Sequence, residues 1–541
     1  MKKTLLSALG LALLLPAGAA AQSAVDANTI TPTQLRGTAR FISMGGAFTS
    51  LGGDISSMTQ NPAGLGIYRK SDVGLTFDVS IRNYKTDTDQ GSYKENQTKA
   101  FFDNFGYVGV IGLNGAMNSL SWGVSYNRLN AFDRRFRGYN MPTETSLSNY
   151  IASYTQGVNS SEMIFPEDNP NYNPYLDSNN DWLSILAYNA CIINNTGSDT
   201  EYAGLFQNGT TADALYDIRE TGHTDEYNID FAGNFNDVVF WGLGVGIIDM
   251  EYTRQTNYSE SMSDAYIYYT PDKDKDPGYM TTGNAGFDLY NIKRTTGTGA
   301  NIKFGLIVRP IEALRLGFAI HTPTWLHLTN QGYGEINGRF TEKGAQKPFE
   351  TSEYTDDFNY DWRLNSPWRF MIGASTVIGS KAILSVDYER VAYSDMKMKY
   401  QQYGTWGNNF VEDKLGNEDI KSYYKAANIV RVGAEYRITP SFSVRAGYNY
   451  QTSNMRDAAA NDRTEIYTAG TDPSYSFDKD TQNICLGLGY RYKGWYIDLA
   501  YQHTNIKSTF HAYTPFAGLK TPQADRSDSY NNIVISTGIR F

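Results

Sequence analysis

A strict alternation of apolar and polar residues constrains this chain more than any other feature. In "DVGLTFDVSIRNY", starting at residue 72, Val73, Leu75, Phe77, Val79 and Ile81 fall on one face of an extended strand, and polar or small residues fall on the other. This follows because successive side chains of a strand point to opposite faces. One apolar face and one partly charged face are typical of a membrane barrel wall, which has lipid on one side and water on the other.

Segments of this kind recur along the chain. We predict fourteen strands, at 72–84, 103–114, 120–132, 225–235, 238–254, 298–309, 314–329, 367–378, 381–395, 426–438, 442–454, 480–492, 495–509 and 529–541. Short turns follow the even-numbered predicted strands and long loops follow the odd-numbered ones, the largest at 133–224. An even strand number with short turns on one rim and long loops on the other is typical of bacterial outer-membrane barrels. The predicted fold class is all-β, a 14-stranded antiparallel transmembrane β-barrel over residues 71–541.

The first residues predict export. Lys2 and Lys3 precede an apolar run from Leu5 to Leu15, and a small-residue site, Ala19 to Ala21, follows. This order is typical of a cleaved signal peptide, which we assign to residues 1–21. Together with the strand pattern it predicts a location in the cell outer membrane.

Composition supports a membrane barrel and argues against other classes. The mean hydropathy is −0.46, yet 14% of the residues are aromatic and no apolar run is long enough for a spanning helix. The formal charge of −10 argues against a nucleic-acid partner. Two cysteines, Cys191 and Cys485, are too few for a disulfide framework, and their pairing stays open.

Residues 22–70 do not alternate and are rich in glycine. We predict short helical patches at "SMGGAFTSL" (43–51) and "DISSMTQ" (54–60), with Asp54 capping the second and Asn61-Pro62 ending it. Glycine permits tight turns and close backbone approach, which suits a small domain inside a narrow lumen. We therefore predict a helical N-terminal plug, called the hatch, at 22–70.

Four stretches carry a resemblance to a known family. They are "GTARFISMGGAFTSLGGDISSMTQNPAGL" (37–65), "TGANIKFGLIVRPIEALRLGFAIHTPT" (298–324), "LNSPWRFMIGAS" (364–375) and "VRVGAEYRITPSFSVRAGYNYQ" (430–451). In these the chain resembles the FadL family of outer-membrane transporters for hydrophobic compounds, in a branch often labelled hemin receptor. The resemblance implies a fourteen-stranded barrel with a hatch and passive uptake of fatty acid-like molecules. It also implies a binding site in the lumen and a sideways exit through a gap at the third strand.

Three hatch residues and three wall residues are candidates for this passage. Asn61, Pro62 and Ala63 are predicted to seat the hatch against the wall and to move with the ligand, the alternative being a helix stop without a gating role. On the third strand the alternation slips by one residue at Arg128-Leu129, which indicates a β-bulge, unless Arg128 merely lies at the headgroup level. Pro323 is a second candidate kink, since proline removes a ladder donor, unless it lies past the membrane.

Four side chains are predicted to face the lumen: Lys303, Arg309, Arg315 and His321. They could steer an anionic ligand such as a carboxylate, but salt bridges with hatch or wall are the favoured interpretation. We predict no cofactor, no metal site and no catalytic residue. The five histidines form no paired motif for heme or metal, and the acidic stretch at 272–278 lacks the ligand spacing of a calcium loop.

The predicted function is passive uptake of small hydrophobic molecules. Predicted partners are the ligand, outer-membrane lipid and lipopolysaccharide, and the barrel assembly machinery, which would recognise the C-terminal Phe541; the protein is predicted to be a monomer. One alternative is a carrier protein for a secretion or surface-assembly system, suggested by the large loop at 133–224. Another is an enzyme of the barrel wall using His503 and Ser508.

Overall fold

A computed structural model describes residues 22–268, 280–379, 381–402 and 409–541. The predicted signal peptide and the acidic stretch at 272–278 lie outside the described residues. Within the described part, every helix is too short or too polar to cross a bilayer.

Strands form most of the structure. In chain order they are β1 (Asp72–Thr88), β2 (Gly91–Gly112), β3 (Met117–Ala131), β4 (Arg134–Thr143), β5 (Asn194–Asn195), β6 (Tyr202–Ala203), β7 (Thr211–Phe235), β8 (Val239–Tyr268), β9 (Met280–Ile311), β10 (Leu314–His321), β11 (Trp325–Glu342), β12 (Phe349–Tyr354), β13 (Phe358–Asn365), β14 (Arg369–Ile378), β15 (Ala382–Val391), β16 (Lys397–Gln401), β17 (Phe410–Glu412), β18 (Ala427–Arg437), β19 (Phe442–Gln451), β20 (Tyr475–Tyr492), β21 (Trp495–His511) and β22 (Gln523–Arg540).

These strands close into one antiparallel barrel. Three positions around the wall are each occupied by two strands in succession, namely β10 with β11, β14 with β13, and β15 with β16. With these counted once, the order around the wall is β1, β2, β3, β7, β8, β9, β10/β11, β14/β13, β15/β16, β18, β19, β20, β21 and β22. The first and last strands pair from Asp72↔Arg540 to Asp87↔Asp525, which closes the ring. The wall therefore has fourteen positions, and the predicted fold class is confirmed.

An outward-facing apolar band surrounds the barrel. Each of the fourteen wall positions contributes at least one exposed large apolar side chain: Phe77, Phe105, Val124, Ile229, Val245, Phe304, Phe318, Ile372, Val386, Val432, Tyr448, Leu488, Leu499 and Ile535. A continuous apolar surface of this extent cannot face water without cost, and it is the surface that a bilayer covers.

Several strands extend well beyond their predicted ends. The predicted loop at 85–102 is wrong, because β1 and β2 pair through this stretch up to Thr88↔Gly91. Likewise, 211–224 belongs to β7 and not to the loop predicted at 133–224. Beyond the band both faces of these strands carry polar residues or pack on other parts of the chain, so the period-two signal of a lipid-facing wall is lost.

A folded cap stands over the long-loop rim. It contains β4, α3 (Leu147–Thr155), α4 (Pro174–Asp177) and α5 (Trp182–Asn189), packed around buried residues such as Ile151, Leu186 and Ile192. Helix α5 confirms the helix predicted at 181–192. Helix α6 (Lys414–Tyr423) lies within the predicted helical stretch at 410–428, and α7 (Asp457–Ala460) follows β19.

The N-terminal segment lies inside the barrel. It contains α1 (Ala24–Ile30), α2 (Ala39–Ser43) and two 3-10 turns, Ile55–Thr59 and Pro62–Ile67. Asp54 caps the first turn as predicted, since its side chain accepts the Ser56 N–H. The helix predicted at 43–51 is wrong, because Gly45 and Gly46 have φ values of 63° and 75°, which end α2 in a left-handed turn.

Candidate ligand channel in the barrel lumen

The hatch touches the wall along a ring of inward-facing glycines. Ten wall strands each place one glycine against hatch atoms: Gly74, Gly106, Gly123, Gly242, Gly305, Gly317, Gly373, Gly433, Gly447 and Gly487. A Cβ atom at Gly305 would overlap Asn61 Oδ1, and one at Gly242 would overlap the Ala63 nitrogen. Glycine therefore allows the hatch backbone to lie directly on the ladder. This ring was not predicted from the sequence, although glycines at a similar height in successive strands were a signal for it.

Asn61 joins the hatch to the wall. Its Oδ1 accepts the Ala63 N–H (3.0 Å), which caps the turn that Pro62 begins. Its Nδ2 donates to Thr49 O (2.6 Å) in the hatch and to Phe318 O (3.3 Å) in β10. Asn61-Pro62 therefore starts a turn and does more than end the preceding one, while a gating role stays a prediction.

Buried ion pairs also hold the hatch. Arg40 of α2 donates to Glu435 (2.9 Å), which also accepts from Arg445 (2.7 Å), and Arg445 donates to Asp498 (2.6 Å). Buried charges persist only when they are paired and hydrogen-bonded. This chain of contacts crosses from the hatch to β18, β19 and β21, so it fixes α2 against one side of the wall.

A cavity of about 250 Å³ lies between the hatch, α1 and the wall, and we call it the main cavity. Its positively charged lining residues are Arg36, Arg82, Arg128, Arg134, Arg254, Lys293, Arg369, Arg431, Lys479 and Arg526. Its negatively charged lining residues are Asp26, Glu220, Asp472 and Asp478. Several carboxylates that pair with these cations, such as Glu389 and Asp528, are not among the lining residues. The cavity therefore presents mainly cationic groups, which favour an anionic group on a bound molecule.

The wall ladder between β2 and β3 stops inside the barrel wall. The last paired residues are Asn104 and Asn127, although both strands continue toward the long-loop rim. A register shift in the β1–β2 pairing makes Asp103 and Asn104 both point inward. A second shift in the β3–β7 pairing leaves Leu129 as an extra residue, at the position where the alternation slips in the sequence. We call the unpaired region above Asn104 and Asn127 the β2–β3 gap.

Aromatic and charged side chains fill the β2–β3 gap from inside. The ring of Phe101 lies 4.8 Å from the guanidinium of Arg36, 5.0 Å from that of Arg82 and 6.0 Å from that of Arg128. Arg36, which belongs to the hatch, also pairs with Asp78 (3.2 Å) and with Asp103 (2.5 Å). A hatch side chain is therefore bonded to β2, which borders the gap, and to the neighbouring strand β1, an arrangement that no local motif predicts.

The outer side of the β2–β3 gap faces the apolar band. Phe102 stacks on Tyr126 with ring centroids 5.4 Å apart. Higher on β1, Val79 and Ile81 are still exposed apolar side chains, so the gap lies within the band and not above it. Leu129 lines the main cavity. The cavity thus reaches the point where the wall is unpaired.

Three of the four predicted lumen-facing residues contact the hatch or the wall through their side chains. Lys303 Nζ donates to Glu226 (2.6 Å), Arg315 donates to Leu51 O (2.9 Å), and His321 Nε2 lies 2.9 Å from Gln60 O. Arg309 is partly exposed near the short-turn rim. Lys303 and His321 line a second cavity of about 80 Å³.

The structure also places the residues that were considered for other chemistry. Among the described residues, no group of three or more potential metal ligands comes together. His503 faces outward and Ser508 faces inward on β21, five residues apart, so the suggested pair does not meet. Cys191 and Cys485 are both free, which answers the open question of their pairing.

Comparisons with known proteins agree with the geometry. No family model and no curated protein matched the chain. Among solved structures, a Pseudomonas aeruginosa FadL homologue aligns with a TM-score of 0.52 and 13% identity, covering 94% of this chain and 100% of that one. The P. putida toluene transporter TodX aligns with a TM-score of 0.47 and 13% identity, covering 94% of this chain and 99% of that one.

The resemblance noted in the sequence is confirmed at the level of the fold. The closed wall of fourteen positions, the N-terminal helical segment inside it and the alignment over the full length of the FadL homologue all agree. The chain therefore has the FadL fold.

Proposed function

We propose that this chain is an outer-membrane channel for passive uptake of small hydrophobic molecules, with long-chain fatty acid-like molecules as the first candidates. One observation carries the proposal: the main cavity reaches an unpaired region of the wall that lies within the apolar band. The FadL fold adds support. A ligand that leaves through the wall avoids the aqueous compartment, where an apolar chain is unfavourable.

The cationic lining supports a ligand that carries an anionic group. A carboxylate in the main cavity would meet arginines such as Arg82, which donates to Ser80 Oγ and to the carbonyl oxygens of Ala131 and Asp133. An alkyl chain attached to that carboxylate would lie toward Leu129 and Phe101, beside the β2–β3 gap. The cationic lining would thus bind the carboxylate of the ligand, and the β2–β3 gap would accommodate its alkyl chain.

Arg36 supplies a physical link between hatch and wall. Because it bonds to Asp103 on β2 and to Asp78 on β1, a shift of the hatch would pull on β2, which borders the β2–β3 gap, and on the neighbouring strand β1. We assign Asn61, Pro62 and Ala63 to the opposite anchor of the hatch, against β8, β9 and β10. A ligand bound above the hatch would then shift both attachments of the hatch to the wall, the Arg36 ion pairs and the contacts of Asn61, Pro62 and Ala63.

Deletion of Leu129 tests the exit. Since Arg128 pairs with Asp225 and Asn130 with Thr224, removing the extra residue leaves these pairs in register and removes the bulge. We expect cells that express the deletion to take up radiolabelled palmitate at least about fivefold more slowly than wild type, because the straightened strand can pair with β2.

Leu129→Ala is the matched control, because it shortens the side chain but keeps the bulge; its uptake should stay close to wild type. Normal palmitate uptake by a correctly folded deletion variant would contradict the wall exit. No uptake by the wild-type protein would contradict the channel itself.

A carrier role is the second candidate. It is supported by large apolar side chains that stand exposed near the cap, namely Phe165 (52%), Leu176 (63%) and Tyr354 (72%). Exposed apolar groups in proximity often mark interaction surfaces. Crosslinking in intact membranes followed by purification would show a copurified exported protein if the chain is a carrier, and palmitate uptake without such a protein would argue against it.

A further inference from the structure

Three neighbouring wall positions are interrupted at the same height. The strand pair β10 and β11 is interrupted at 322–324, the pair β14 and β13 at 366–368, and the pair β15 and β16 at 392–396. Each interruption separates two strands that occupy one wall position. This line of interruptions, which we call the proline seam, lies across the barrel from the β2–β3 gap in strand order.

Two prolines face each other across the proline seam. His321 pairs with Arg369 on one side of the interruption, and Trp325 pairs with Asn365 on the other. The register is the same on both sides, so Pro323 stands opposite Pro367 and Thr324 stands opposite Ser366. Proline has no backbone N–H, and this level of the ladder therefore lacks two of its donors.

Side-chain hydroxyls replace part of the ladder at the seam. Thr324 N–H donates to Ser366 Oγ (2.8 Å), and Ile302 N–H donates to Thr322 Oγ1 (3.0 Å). Backbone bonds also cross the level, from Ser366 N–H to Thr324 O (3.0 Å) and from Thr322 N–H to Ile302 O (3.0 Å). A hydroxyl can rotate away from its partner, whereas a backbone ladder bond breaks only when the strand moves.

The second cavity ends at this seam. Its lining includes Thr322, Thr324, Ser366 and Pro367 on the wall side. On the lumen side it shares Pro32, Thr33 and Thr59 of the hatch with the main cavity. Leu129, Arg369, Tyr393, Ile429 and Gln451 of the wall also line both cavities, so the two cavities adjoin and a molecule in one has a short path to the other.

The outer face of the seam is aromatic. Trp325 is 49% exposed, and the ring of Trp368 stacks on exposed Phe370 with centroids 6.2 Å apart. On the neighbouring β9, Ile302 is an exposed apolar residue directly beside Thr322. Aromatic side chains of this kind mark the margin of the apolar band, so the seam lies at the upper edge of the lipid.

The second cavity differs from the main cavity in charge. Lys303 pairs with Glu226 (2.6 Å), and Arg369 pairs with Glu389 (2.6 Å). Glu389 lines neither cavity, so the contrast is one of number: the second cavity has two cations, Lys303 and Arg369, and one carboxylate, Glu226, and its other lining residues are mostly hydroxyl, amide and apolar. With about 80 Å³ of space, it suits a small uncharged molecule better than an anionic amphiphile.

From these observations we propose that the proline seam is a second side exit, which passes small uncharged hydrophobic molecules from the second cavity to the outer edge of the bilayer. This rests on the proposed channel function and assigns a second substrate class to it. The β2–β3 gap serves anionic amphiphiles held by the cationic main cavity. The proline seam serves molecules without an anionic head.

A reversible lock across the seam tests this exit. In a chain carrying Cys191→Ser and Cys485→Ser, the pair Thr324→Cys and Ser366→Cys would place two thiols opposite each other, at the level next to the proline pair. Leu316→Cys with Ala374→Cys is the matched control, because these residues also face each other on the same two wall positions but in an unbroken ladder. Disulfide formation is verified by mass spectrometry of the purified barrel.

Uptake of naphthalene and of palmitate is then measured in cells that express each variant. We expect the oxidised seam lock to slow naphthalene uptake at least about threefold, with recovery on reduction, and to leave palmitate uptake unchanged. The control lock should change neither. Unchanged naphthalene uptake with a verified seam disulfide, or equal slowing by the control lock, would overturn the second exit.

The two proposals fail in different ways. If deletion of Leu129 stops palmitate uptake while the seam lock leaves naphthalene uptake unchanged, the channel stands and the second exit is wrong. If wild-type cells take up neither molecule faster than cells without the protein, the channel is wrong and the second exit falls with it.

Discussion

Glu260 connects a wall strand to the cap through one buried carboxyl group. It lies on the part of β8 beyond the apolar band, and it accepts hydrogen bonds from the Leu147 N–H (2.8 Å) and the Tyr258 hydroxyl (2.6 Å). Ser146, the N-cap residue of α3, is its third donor. Burial raises the pKa of Glu260 to about 7, and the three hydrogen bonds oppose this rise only in part.

The docking of α3 should therefore depend on pH. Because the folded pKa exceeds the ordinary value of 4.5, the folded state binds more protons than the unfolded state between these pH values. The stabilisation is complete below 4.5 and is lost as pH rises through about 7. We expect amide hydrogen exchange in α3, corrected for intrinsic rates, to be faster at pH 7.5 than at pH 5.5, and Glu260→Gln to remove most of this difference.

Glu162→Gln is the control for that measurement, since Glu162 is an exposed residue of the cap. It should keep the pH dependence of the wild type. Equal protection of α3 at both pH values in the wild-type protein would contradict the role given to Glu260.

Single residues were predictable where the local sequence constrains the backbone. Asn61-Pro62 announces a turn, and Asp54 precedes a short helical patch, so both were found without a structure. Arg36 and Asp103 were not found, because their pairing joins residues 67 positions apart. Asp103 also points inward only because of a register shift. Long-range ion pairs inside a lumen leave no periodic signal.

Strands were predictable inside the apolar band and not beyond it. The alternation located all fourteen wall positions, because lipid on one face and water on the other enforce it. It failed for the outer halves of β1, β2, β8 and β9, where both faces are polar or meet the cap. It also failed to separate β10 from β11, since Pro323 interrupts a pattern that looks continuous in sequence.

Gly305 lets β9 lie directly against the hatch, and this contact should not tolerate a side chain. In Gly305→Ala the new methyl group would overlap Asn61 Oδ1, so the hatch turn must shift away from the wall. We expect a loss of about 1–3 kcal/mol in the free energy of unfolding, the usual cost of overpacking a filled interface. Chemical unfolding in detergent and conductance in planar bilayers would measure the loss and any new ion leak.

The control for this substitution is Gly112→Ala at the end of β2, where an added Cβ meets no atom within 4 Å. It should leave both stability and conductance close to wild type. A Gly305→Ala protein as stable and as tightly closed as the Gly112→Ala protein would show that the hatch is not seated on the glycine ring.

Closure of the barrel wall and closure of the pore depend on different parts of the molecule. The wall closes through ladder bonds between β1 and β22, which do not involve the hatch. The hatch lies inside that wall, where glycine contacts and buried ion pairs hold it, and we predict that it closes the pore. The two properties should therefore be separable by mutation.

Deletion of residues 22–70 from the mature chain tests this separation. We expect the remaining barrel to keep its resistance to unfolding in unheated SDS, because its ladder is intact, but to melt at a lower temperature, because Glu435 and Asp387 lose their hatch partners. Conductance in planar bilayers should rise by about tenfold or more once the lumen is empty. A barrel that folds yet stays non-conducting would mean that another part of the chain closes the pore.

The length of the β8–β9 hairpin sets the distance between the entrance and the lipid. From Ile247, an exposed residue of the apolar band, β8 continues for the 21 residues up to Tyr268. At about 3.4 Å per residue and a tilt of roughly 40°, this carries the end of β8 about 55 Å beyond the level of Ile247. The long-loop rim thus stands well clear of the lipid, and in the proposed channel a molecule would reach this rim from the surrounding fluid and not from the bilayer.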